Sequence, residues 1–147
     1  MNHGSNEYYL DPDKIGTVEN YRLEAEVLLR CLADRIGNKK TDETVSCSAR
    51  NIADSIICIT DTYTRIIKKR NLQQGKFSWS CGTHGSSVRA RLTKIIASEY
   101  SQKQLDRLAE FALIYTAGEK KLSEADPEIQ KMLMEFLFSR PKAMVLY

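Results

Sequence analysis

The stretch from Ile52 to Tyr63 constrains this chain more than any other. Wound as an α-helix, it sets Ile52, Ile56, Ile59 and Tyr63 on one stripe with Asp61 beside it. Further along, Gln104-Leu105-Asp106-Arg107-Leu108-Ala109-Glu110-Phe111 opens a second, very apolar helix with an Arg at its mouth. One apolar stripe and one nearly all-apolar helix predict an all-α bundle. Four hydrophobes at helical spacing are also what any helix buried in a bundle displays, so the stripe alone names no function.

The rest of the chain reads the same way. Residues 17–36 carry Tyr21, Ala25, Leu28, Leu29, Leu32 and Ile36 at amphipathic spacing, with Thr17 as N-cap and Gly37 just past the end. Residues 38–47 are polar and predict a loop. The helix of the first stripe extends from about 48 to 70 through Ile66 and Ile67. Its β-branched content makes a strand the competing assignment, but period 3.6 fits better and puts Arg50, Asp54, Asp61, Arg65 and Lys68 on the polar side. Residues 71–87 hold Gly75, Gly82 and Gly85 and predict a long connection pinned by Phe77 and Trp79. A third helix follows Ser86-Ser87 on Val88, Leu92, Ile95, Ile96 and Tyr100.

Ser101-Gln102-Lys103-Gln104 forms a capping box that opens the apolar helix, about 105–117, ended by Gly118. Within its apolar run only Glu110 is charged, which predicts a buried, central helix with Leu108, Phe111, Ala112 and Ile114 in the core. Asp126-Pro127-Glu128 starts a fifth helix, which carries Ile129, Met132, Leu133, Phe136 and Leu137 and stops before Pro141. The predicted organisation is a flexible arm over 1–16 and a single helical domain over 17–147.

Size and composition agree. A chain of 147 residues supports one core, and 42% hydrophobic with 28% charged residues is an ordinary globular composition. Net charge is +3 with the signs mixed, a balance that neither requires nor excludes nucleic acid and gives no basic tail that would argue for it. Cys31, Cys47, Cys58 and Cys81 form no metal or disulfide spacing and read as reduced, structural thiols. No secretory signal and no apolar run of about 20 residues occurs, which predicts a soluble protein of a reducing, intracellular compartment.

The chemistry of an enzyme is missing. The two histidines, His3 and His84, fall in an arm and a Gly/Ser loop; Cys81 with His84 makes at most half a metal site. No phosphate-binding or dinucleotide glycine pattern appears. A lone Glu110 predicts an ion pair more readily than a catalytic acid. No catalytic residue, metal or cofactor is therefore expected. Lys68-Lys69-Arg70 and Arg89, Arg91 and Lys94 are the basic clusters; a helix opening at Ser86-Ser87-Val88-Arg89 keeps a small DNA-binding or regulatory adaptor as the alternative.

With this helix order, the chain resembles the Bcl-2 family of apoptosis regulators, in particular the short survival-type members carried by large DNA viruses. That family's second helix bears a pro-death motif of four spaced hydrophobes with an Asp just after the third; Ile52, Ile56, Ile59, Asp61 and Tyr63 stand at those places. Its central helix begins Asn-Trp-Gly-Arg, matched here by Gln104-Leu105-Asp106-Arg107. The usual Trp is Leu105, the usual Gly is Asp106, and the family's Trp-rich double-Gly motif and C-terminal membrane tail have no counterpart. A second register, with Leu29 to Asp34 as the pro-death motif and Gly75 to Trp79 before the central helix, would put Gly82 and Gly85 inside that helix at about 1 kcal/mol each.

The resemblance implies a groove that sequesters amphipathic pro-death helices of the Bim type, four hydrophobes supplying affinity and one ligand Asp pairing with an Arg. It implies Tyr63, Ile66 and Ile67 on one wall, Ile95, Leu108 and Phe111 across, and Gln104 and Arg107 at the edge. Arg107 is the residue placed to grip the Asp. The implied partners are pro-death relatives, with self-pairing into a homodimer when the groove is empty, no nucleic acid and no transmembrane anchor. The implied location is the cytoplasm, the host's if the protein is viral.

Overall fold

The computed structural model describes residues 10–14, 17–37, 45–73 and 86–138. Phe77, Trp79, Cys81, His3, His84 and the glycines of the predicted long connection lie outside these residues. Five α-helices follow in order: α1 (Val18–Ile36), α2 (Ala49–Gln73), α3 (Ser86–Glu99), α4 (Gln102–Thr116) and α5 (Pro127–Phe138). Among the described residues there is no strand. The all-α expectation holds, with helix ends within about three residues of those read from the sequence.

Helix α1 is the hub. It packs on α2 along one side and α4 along the other, while α3 lies on α2 and α5 touches both α1 and α4. Its stripe of Ala25, Leu28, Leu29 and Leu32 is wholly buried. Gly37 ends the helix at φ +84, a left-handed conformation that a side chain would strain, and its N–H reaches the Ala33 carbonyl at 3.0 Å. Two side-chain pairings set the α1–α2 register. Near one end the Tyr63 hydroxyl donates to the Glu24 carboxylate; towards the other, Arg35 approaches Asp54 at 3.5 Å. The numbers fall on α1 as they rise on α2, so the two helices are antiparallel.

Helix α2 is densely buried over one long stretch. Every residue from Ile52 to Tyr63 is buried except half-buried Cys58 and exposed Asp61. Several of its polar residues enter the core because they are satisfied there, whereas the buried Thr60 hydroxyl has no hydrogen-bond partner among the described residues. Ser55 donates to the Asn51 carbonyl and Thr62 to the Cys58 carbonyl, both at 2.8 Å. Asp54, expected on the solvated side, is buried and collects Arg35 of α1, Arg50 of α2 and Arg89 of α3.

Helix α4 differs from its expectation in one respect. Leu105, Leu108, Ala109, Phe111 and Ala112 are buried, but Lys103, Arg107 and Glu110 make an exposed face, and Ile114 is only half-buried. The predicted all-round burial fails because α4 has helices on part of its circumference only, α1 above all. Of the predicted arm, the described segment 10–14 packs on the helices. Leu10 is in the core, Pro12–Lys14 forms a 3-10 turn against α2, and Asn20 donates to the Asp11 carbonyl at 2.8 Å.

Candidate functional site

The start of α4 is built by local chemistry. The Ser101 hydroxyl accepts from the Gln104 N–H at 3.2 Å, and the Gln104 side-chain oxygen accepts from the Ser101 N–H at 2.8 Å. This is the capping box read from the sequence. It also aims the Gln104 amide at Glu128 of α5, 3.3 Å away. One turn on, Arg107 donates to the other Glu128 oxygen at 2.6 Å. The side chains of Arg107 and Glu128 are 50% and 37% exposed. The hydrogen bond from Arg107 and then that from Gln104 hold the Glu128 carboxyl below its ordinary range. Arg107 is thus half in water and already grips a carboxylate carried on a neighbouring helix.

Asp106, which stands where the resemblance expects Gly, has a different task. Its carboxylate accepts from the Cys47 N–H and from the Gln102 amide, each at 2.8 Å, and that amide also donates to the Cys47 carbonyl at 2.5 Å. The start of α4 is thereby tied to the segment that leads into α2.

The eight nominated groove residues separate into three places. Tyr63, Leu108 and Phe111 are core residues. The Tyr63 hydroxyl donates to buried Glu24 and accepts from Asn20 at 2.8 Å; burial, then the Glu24 carboxylate, raises its pKa. Tyr63 is therefore a clasp between α1 and α2 and not an open wall. Ile66 and Ile67 on α2 and Ile95 on α3 are half-buried. Gln104 and Arg107 stand at the α4–α5 edge, joined through Glu128. Sequence reasoning missed Glu128 as a partner because an acid in the first turn of a helix is already accounted for by the dipole.

Cavities also lie elsewhere among the described residues. One of about 660 Å³ is lined by Tyr21, Arg22 and Arg30 of α1 together with Tyr115, Lys120 and Lys121 at and beyond the end of α4. A shallower one of about 460 Å³ runs along α5 past Met134 and Phe138, two of the large hydrophobic side chains exposed on this molecule.

The basic clusters are partly spent on internal pairs. Arg89 donates to Asp54 at 2.5 Å, and Arg70 approaches Asp13 at 3.6 Å. Arg91 and Lys94 remain exposed on α3. Among the described residues no group of three or more His, Cys, Asp or Glu could hold a metal ion, and no helix is long and apolar enough to cross a membrane. No protein-family model, curated protein or solved structure matches the chain.

Proposed function

We propose that the protein is a helix-binding module of the Bcl-2 type, an apoptosis inhibitor that sequesters amphipathic pro-death helices. The observation that carries the reading is the Arg107–Glu128 contact. Arg107 projects from the first half of α4, partly exposed, and holds a helix-borne carboxylate in the way a ligand Asp would be held. In this reading Glu128 occupies the ligand's place while the protein is empty, and an arriving Asp displaces it. Leu108 and Phe111, next to Arg107 and one turn on, supply the apolar floor once the covering side chains move aside. The half-buried Ile66, Ile67 and Ile95 then belong to a more distant rim of the same bundle.

The DNA-binding alternative is less well supported, since Arg89 turns inward to Asp54 and leaves a shorter basic surface on α3. Titration of the protein with Bim-type helical peptides, beside duplex DNA at two salt concentrations, distinguishes the two. Peptide binding that weakens when the ligand Asp is replaced by Ala supports the proposal. Binding to DNA that falls steeply with salt, with no peptide binding, removes it.

A further inference from the structure

Cys31 on α1 and Cys58 on α2 meet across the interface between these two helices. The pairings that bracket them, Tyr63 with Glu24 and Arg35 with Asp54, fix the antiparallel register. One helical turn back from Arg35 on α1 is Cys31; one turn on from Asp54 along α2 is Cys58. The register therefore sets the two thiols opposite each other across the interface. Both cysteines are unbridged and half-buried, so small reagents reach them.

We propose that Cys31 and Cys58 form a reversible thiol–disulfide site that reacts with hydroperoxides, Cys31 attacking and Cys58 resolving. The Cys31 thiolate attacks the terminal oxygen of the hydroperoxide. The O–O bond breaks, the alcohol leaves with a proton from solvent, and Cys31 becomes a sulfenic acid. Cys58 then gives up its proton and its sulfur attacks that of Cys31. The S–O bond breaks, and the departing hydroxide takes that proton and leaves as water. Two electrons pass from the two thiols to the peroxide, and one disulfide forms.

The surroundings divide the roles. The hydrogen bond from Cys58, then the one from Arg35 with its charge, outweigh burial and bring the Cys31 thiol down to about 6. The bond to Cys31, burial and the charge of Asp61 hold the Cys58 thiol up, against Arg35. A low-pKa thiolate beside a protonated partner is the arrangement that reactive cysteine pairs use. Buried Cys47 is the contrast within this chain: desolvation, then Asp106, pushes it up to about 12. Closing the bond requires the two Cα atoms within about 4.4–6.8 Å.

The full-length reduced chain is treated with hydrogen peroxide and digested with trypsin without reductant. The expected product joins peptide 31–35 to peptide 51–65 with loss of two hydrogens, and dithiothreitol reverses it. Cys58→Ser should stop at a sulfenic acid that a cyclic diketone traps, and Cys31→Ser should leave Cys58 unmodified at the same dose. On the unsubstituted chain, brief alkylation at pH 7 should label Cys31 at least about tenfold faster than Cys58. Equal labelling of the two, an inert Cys31, or a cross-link that uses Cys47 or Cys81 instead would overturn the proposal.

Discussion

Asp54 is where three helices are held by one carboxylate, and Asp54→Ala tests how much that junction contributes. The side chain is 9% exposed, and its closest partner is Arg89 at 2.5 Å. Arg35 at 3.5 Å and Arg50 at 3.9 Å are farther off, and their side chains are 43% and 68% exposed. Breaking a fully buried ion pair from one side costs about 3–5 kcal/mol. Here the arginines keep access to water after the change, so the loss falls below that range, and the two longer contacts contribute little. We expect a destabilisation of about 2–3 kcal/mol. For a chain of this size that lowers Tm by about 6–10 °C. Equilibrium urea unfolding of Asp54→Ala, Arg89→Ala and the double variant measures both the loss and the coupling. The coupling should be about 1–2 kcal/mol and should survive added salt, because the contact is partly shielded from water. A loss below about 0.5 kcal/mol, the level of an ordinary surface change, would refute the reasoning.

Three further outcomes are expected. Phe111→Ala should destabilise by about 3–5 kcal/mol in the same urea assay, because the ring is buried in the core. Arg107→Ala should weaken Bim-type peptide binding about tenfold to a hundredfold in calorimetric titration while the fold stays intact; unchanged affinity would remove the reason for assigning the site. Tyr63 has a folded-state pKa raised by burial and by Glu24, so its contribution is complete below about pH 10, where the unfolded phenol titrates, and is lost as pH rises beyond it. Stability measured from pH 9 to 11.5 should therefore fall less steeply in Tyr63→Phe than in the unsubstituted chain.

Much of the fold was legible in the sequence because its signals are local. The 3.6-residue spacing of Ile52, Ile56, Ile59 and Tyr63 marks a buried helix face whatever packs on it, and all four are in the core. The Ser101–Gln104 capping box and the Asp126-Pro127 start are set within one helical turn, and Gly37 ends α1 by its own backbone freedom. Periodicity identifies a face without saying what covers it, and the remaining features depend on that covering. Only tertiary packing decided that Asp54 is buried, since a carboxylate reads as solvated until three arginines from three helices reach it. Only packing turned Arg107 towards Glu128, drew Tyr63 into a clasp with Glu24 in place of an open wall, and gave α4 a wet face at Lys103 and Glu110. The facing of Cys31 and Cys58 likewise arises from the antiparallel register of α1 and α2. Spacing along one chain does not encode that register, because it is set by which side chains on the two helices satisfy one another.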